Sequence, residues 1–286
     1  MKRLRIFLAS ISLGILCVAP QTMAGSLSIE PIREELTLKT EQSIDNQLIV
    51  RNSTDKPISV SLEAESFSVI NESYDYGFTK AEDLKSWVRF NETSVQLPAK
   101  ESHLFTYTVS APQNAEPGGK YIAIFSTTNS ETKNAVTSLE RAGTLLYITI
   151  PGAITKIGTV VDARTPTMNF RRQINSIARI RNTGSAHFKS RTKIEVRNIF
   201  GGFISSREDE HLLLPNTVRA VEEPVLLGKF PGLYRIRTTI GLGDTPAHTK
   251  TQLVWYVPFL PTTFLSILVM LSGRKIVRLL RKRKQN

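Results

Sequence analysis

Period-two alternation is the feature that most constrains what this chain can become. From Pro57 to Ala64 the apolar residues Ile58, Val60, Leu62 and Ala64 alternate with Ser59, Ser61 and Glu63. Phe105, Tyr107 and Val109 alternate with Thr106 and Thr108, and Thr192, Ile194 and Val196 alternate with Lys193, Glu195 and Arg197. Tyr234, Ile236 and Ile240 share one side of a stretch that puts Arg235, Arg237 and Thr239 on the other. Successive side chains of a strand point to opposite faces, so the pattern predicts antiparallel sheets with one face buried and one solvated. No long helical period competes with it between the two ends of the chain. Only Thr79 to Trp87 predicts a short helical turn. The fold class is therefore all-β.

The pattern also repeats. LIVRNS at 48–53 is echoed by ARIRNT at 178–183, each a strand running into a polar turn. Leu97-Pro98, followed by Pro117-Gly118-Gly119-Lys120-Tyr121, is echoed by Leu214-Pro215, followed by Pro231-Gly232-Leu233-Tyr234. Two tandem Ig-like β-sandwich units account for this, over 25–152 and 153–253, with the junction near Pro151-Gly152.

The two ends of the chain read differently. Residues 1–24 order a basic start (Lys2, Arg3, Arg5), an apolar run from Ile6 to Val18 and a small-residue exit at Thr22-Met23-Ala24. That is the layout of a secretory signal peptide. Its Cys17 is the only cysteine, so the mature body can form no disulfide and no thiolate metal site. At the other end no charged residue occurs between Lys250 and Arg274. Residues 254–273 are long enough to cross a hydrocarbon core of about 30 Å, although Thr251 to Val257 alternates like a final strand and Pro258 and Pro261 resist helix, so the helix is expected to start near Pro258. Trp255 and Tyr256 would sit in the outer aromatic belt, and Arg274 and Lys275 would snorkel on the inner side. The basic tail, 274–286, places the C-terminus in the cytoplasm and the body outside.

Charge follows this topology. The chain carries a net +12, but three basic residues belong to the signal and seven to the tail. The body holds 27 basic and 25 acidic residues, which argues against a nucleic-acid partner. Within it, 25–152 is net −6 and 153–253 is net +8. Arg179 with Arg181, and Arg235 with Arg237, lie two apart on strands. If both pairs share one exposed sheet face they form a positive stripe toward anionic lipid or wall polymer.

No chemistry-bearing constellation emerges. His103, His187, His211 and His248 lack ligand spacing, and no HExxH, GxSxG or phosphate-cradling glycine loop occurs. Gly241-Leu242-Gly243-Asp244 reads as a hairpin turn, and Glu208-Asp209-Glu210 as a solvated acidic loop. Asn52, Asn71 and Asn91 head sequons that chance alone explains. No enzyme, cofactor or metal is expected.

The stretches SLSIEPIREELTLKTEQS, LIVRNSTDKPISVSLEAESFSV, LKSWVRF and VQLPAKESHLFTYTVSAPQNAEPGGKYIAIF resemble the DUF916 family, the WxL-interacting surface proteins. ARIRNTGSAHFKSRTKIEVRNIFGG and LYRIRTTIGLGDTPAHTKTQLVWYVP resemble the second domain of that group. The resemblance implies a membrane-anchored bacterial surface protein that binds peptidoglycan, another cell-wall polymer or a partner surface protein. It carries over no catalytic residue. The chain itself has no W-x-L motif, because Trp87 and Trp255 are followed two positions on by Arg89 and Val257. The first unit also resembles the N-terminal domain of pilus chaperones. The alternative function is thus a chaperone-like role, assisting surface subunits by strand donation.

Overall fold

The structure, a computed structural model, describes residues 26–80, 82–131, 137–258 and the single residue 270. The stretch 1–24 read as a signal peptide, the tail with Arg274 and Lys275, and most of the uncharged stretch lie outside the described residues.

The described chain is all-β apart from one short helix. The first ten strands are β1 (Leu27–Glu30), β2 (Arg33–Thr37), β3 (Ser43–Asn52), β4 (Ile58–Val69), β5 (Tyr76–Thr79), β6 (Val88–Phe90), β7 (Ser94–Leu97), β8 (Ser102–Ser110), β9 (Gly118–Glu131) and β10 (Thr137–Ile150). The helix, α1 (Glu82–Lys85), falls inside the stretch read as a helical turn. Eight more follow: β11 (Gly158–Arg164), β12 (Met168–Asn169), β13 (Gln173–Asn182), β14 (Phe188–Asn198), β15 (Phe203–Leu213), β16 (Val218–Leu226), β17 (Gly232–Leu242) and β18 (Thr245–Tyr256).

The first ten strands form two sheets, ordered β1-β3-β8-β6 and β2-β10-β9-β4-β5, with β7 also on β4. The last eight form two more, ordered β11-β13-β16 and β12-β18-β17-β14-β15. The two pairs share one plan. In each, the chain leaves the edge of one sheet and joins the other as a short strand parallel to that sheet's last strand, β2 beside β10 and β12 beside β18. Every other pairing is antiparallel.

Alternation explains the interiors. Val60, Leu62 and Ala64 share the first core with Phe105 and Val109 of the opposite sheet and with Ile124 and Leu146 of their own, while Ser59, Ser61 and Glu63 point away. In the second, Ile194, Val196, Tyr234, Ile236 and Val254 pack together beneath exposed Arg235 and Arg237. The two-residue turn Gly243-Asp244 closes β17 onto β18, and Gly243 has φ 69°, where a side chain would be strained.

The repeated Asn is the pin of each sandwich. Asn52 is fully buried; its Nδ2 donates to the carbonyls of Lys56, Leu97 and Pro98, and its Oδ1 accepts from Thr54 N–H at 2.8 Å. Asn182, equally buried, donates to Ala186 at 3.0 Å and Leu213 at 2.9 Å and accepts from Gly184 N–H at 2.8 Å. One amide thus ties a hairpin turn to the strand end opposite, which only a side chain with both donors and an acceptor can do. Burial also removes Asn52 from use as a glycan acceptor in the folded protein; Asn71 and Asn91 are exposed.

Two substitutions test this account. Leu62→Ala should cost about 2–5 kcal/mol of unfolding free energy by chemical denaturation, through lost burial and a cavity. Asn182→Ala should cost at least about 1–3 kcal/mol, because it strands buried carbonyls without donors.

Candidate functional site

The two sandwiches meet in a packed seam. The loop from Ile70 to Asp75 projects from the first unit and is braced by Asn71, whose Oδ1 accepts Asp75 N–H at 3.1 Å and whose Nδ2 donates to the Asp75 carboxylate at 2.7 Å. It carries Tyr74, at φ 69°, into the second unit. The Tyr74 hydroxyl accepts Leu214 N–H at 2.7 Å and lies 2.7 Å from the Thr217 hydroxyl, and the Arg219 guanidinium sits 4.3 Å over its ring. Next to it, Arg179 Nε donates to the Glu72 carboxylate at 2.7 Å, and Glu72 C=O accepts Ala220 N–H at 2.9 Å. Behind these, Phe67, Ala123, Phe125 and Tyr147 bury against Leu212 and Leu214.

Charge and burial tune the other side of the seam. Lys189 donates to Glu35 at 2.8 Å, and that hydrogen bond holds the Glu35 carboxyl below the usual range. His187 packs edge-on against both the Tyr121 and Tyr147 rings with Nδ1 3.3 Å from the Tyr121 hydroxyl, and burial pushes its pKa down. Burial likewise raises the Tyr74 hydroxyl.

Outward from the seam runs an open strand edge. β9 and β10 are fourteen residues each and pair along their whole length, but β2 covers β10 only from Leu145 to Thr149. Along 137–144 the outer side of β10 has no strand partner among the described residues. Leu145 N–H points to this side, where it meets Ile32 C=O at 2.9 Å. By period two, the backbone groups of Gly143, Arg141 and Leu139 face the same way.

Side chains frame that edge. Arg141 stacks 3.8 Å over the Phe125 ring and donates to Glu65 at 2.8 Å, and Phe78 meets Phe125 edge-on. Gly143 leaves room for this, since a Cβ there would come within 2.8 Å of Phe125. On the inner side Glu140 accepts from Ser26 N–H at 3.1 Å and Ala142 packs on the core.

The other long edges are blunted. β15 is crossed to β16 by Ser205 donating to Leu226 C=O, by Arg207 on Glu223 and by His211 on Glu223. β18 carries Pro246, and its Lys250 and Gln252 bond the chain at Ala163 and Thr165. Proline, charge and covering chain are the usual protections against strand addition. Beyond this edge, a polar hollow of about 720 Å³ opens beside β2, lined by Glu34, Asn46, Arg89 and Asn91 among others. The buried Asn46 Nδ2 there has no hydrogen-bond partner.

Several sequence expectations change. Trp255 and Tyr256 are the last residues of β18, in line with the alternation from Thr251 to Val257, and the uncharged stretch outside the strand starts after them: Tyr256 is in the second core and Trp255 is exposed. Alternation carried through Tyr256 is what keeps them in the sheet. The arginine pairs do not share a face, because Arg179 and Arg181 lie on β13 and Arg235 and Arg237 on β17, in opposite sheets. Arg179 is also consumed by Glu72. Glu208-Asp209-Glu210 lies within β15, where Arg191 and Arg207 pair with it. The open edge left no motif, since an unpaired ladder is a property of neighbours.

No family model matches the sequence, and no curated protein does. Among solved structures the chain is similar to the class 5 fimbrial chaperone CfaA, at 13% identity over 82% of this chain and 100% of that one, with a TM-score of 0.39. It is similar to a chain of the CsuC–CsuE chaperone–tip adhesion subunit complex of Acinetobacter baumannii, at 10% identity over 82% and 100%, TM-score 0.41. The E. coli chaperone DraB gives 14% identity over 79% and 98%, TM-score 0.37.

The seam should loosen in acid. His187 has a folded pKa below its usual 6.5, so its contribution is present above that value and is lost as pH falls through the folded pKa. Glu35, also depressed, adds a second loss at lower pH. Thermal unfolding followed from pH 7 to 5 should show a falling Tm, and His187→Phe should flatten that slope.

Proposed function

We propose that the protein is an extracytoplasmic, membrane-tethered binding protein whose two Ig-like units hold an extended segment of another surface protein, added as a strand along β10. The open edge at 137–144 is the observation that carries this reading. It offers outward N–H and C=O groups in strand geometry, and an extended peptide is the ligand that satisfies them. Each hydrogen bond contributes about 0.5–1.5 kcal/mol net, so side-chain contacts near Arg141, Phe125 and Phe78 would decide which segment is held. A chaperone-like role toward surface subunits uses the same chemistry. The signal peptide, the uncharged stretch and the basic tail support the placement of the body outside the membrane. The resemblance to WxL-interacting proteins supports a surface partner. A second reading, a wall polymer seated in the polar hollow, is favoured by the unpartnered Asn46 amide.

Proline scanning with a photo-crosslinker separates these readings. Leu139→Pro removes an outward N–H and leaves the inward bonds to β9, a place where edge strands tolerate proline. In the full chain, a crosslinker at Glu140 should capture an extended segment of one exported protein. Leu139→Pro should reduce that yield at least tenfold with little change in Tm. An unchanged yield sinks the strand-addition reading, and polymer captured from position 89 instead would favour the hollow.

A further inference from the structure

The second sandwich ends in an apolar, acid-free tip at the point where the chain leaves it. Register places four segments together there. Gly232 pairs with Tyr256, Asn198 with Tyr234, Gln173 with Leu226 and Met168 with Trp255. The chain around 170, the β14–β15 turn, the β16–β17 turn and the end of β18 therefore cluster at one end. The opposite end, with Ser185, Leu214 and Thr217, faces the first unit.

What these segments expose is unusual for a solvated loop. Phe200 is 94% exposed and Phe230 78%, and Phe170, Phe203, Trp255 and Val257 are all more than 40% exposed. Their polar frames are built. Asn198 accepts Gly202 N–H at 2.8 Å through its side chain and donates its own N–H to Gly202 C=O at 2.9 Å, which holds Phe200 at the apex of the turn. Tyr234 donates to Phe230 C=O at 2.6 Å, and Arg172 donates to Leu227 C=O at 3.1 Å, linking two of the segments. These turns with their adjoining strand ends, 168–173, 197–203, 227–235 and 253–257, contain Arg171, Arg172, Arg197, Lys229 and Arg235 and no Asp or Glu. Aromatic tips ringed by cations match the boundary between headgroups and acyl chains of an anionic bilayer.

We propose that this end of the second unit docks on the outer face of the membrane, with Phe200 and Phe230 inserted at headgroup depth and the five cations against anionic lipid. The occupant is argued from where the chain goes. Beyond Val257 the sequence runs uncharged to Gly273 and then turns basic, so the bilayer begins within a few residues of the patch. The inference rests on the reading that residues after Val257 enter a membrane. Docking would stand the molecule on its second unit and carry the open edge of β10 away from the lipid.

Depth measurement tests it. The mature chain has no cysteine, so single spin labels can be placed at Phe200→Cys, Phe230→Cys, Gln113→Cys in the first unit and Leu268→Cys in the uncharged stretch. The full chain is reconstituted in vesicles of phosphatidylcholine with a minority of phosphatidylglycerol. Labels at 200 and 230 should be more accessible to oxygen than to a water-soluble nickel reagent, and the label at 113 the reverse. If 268 is lipid-exposed while 200 and 230 are aqueous, docking is wrong and the membrane anchor stands. If 268 is aqueous as well, both fail. Spin–spin broadening at 200 and 230 in place of lipid exposure would mean that a second copy covers the patch, and would also overturn the proposal.

Discussion

The arrangement of this molecule depends on a single wedge, the Tyr74 loop, seated between the sandwiches. A tyrosine can fill an apolar seam and still satisfy a buried N–H, here that of Leu214. Glu72 beside it takes Arg179 by side chain and Ala220 by backbone. The wedge thereby fixes both rotation and distance between the units. A flexible linker near Pro151 would leave them free; a shared core of Phe67, Tyr147 and Leu212 does not.

That rigidity gives the molecule two distinct ends. The β9–β10 ribbon extends from the seam into the first unit and outruns its partners, leaving an unpaired ladder. The four clustered segments of the second unit point the other way and carry the exposed aromatics.

The internal duplication shows how one plan yields two different surfaces. Asn52 and Asn182 do the same work in both units, and β2 and β12 make the same parallel excursion. The units differ in strand number and in the division of their cores, one cluster in the first and two in the second, and also at their edges and turns. In the second unit the strand equivalent to β10 carries Pro246 and Lys250; β10 itself has no proline, and no strand pairs with its outer side along 137–144 among the described residues. The turn after Asn198 carries Phe200, a residue that contributes nothing to the core.

Sequence by itself determined the all-β class, the buried faces of β4, β8, β14 and β17, and the Gly243-Asp244 turn. Each follows from nearest-neighbour physics, alternation and local φ preference. It also exposed the repeated Asn, although not its hydrogen bonds. Only the tertiary structure decided which arginines share a face, because strands near in sequence pattern fall in opposite sheets. The open edge and the aromatic tip were decided there too. Both are defined by what lies beside a segment in space, and a strand's own residues do not encode whether its outer ladder finds a partner.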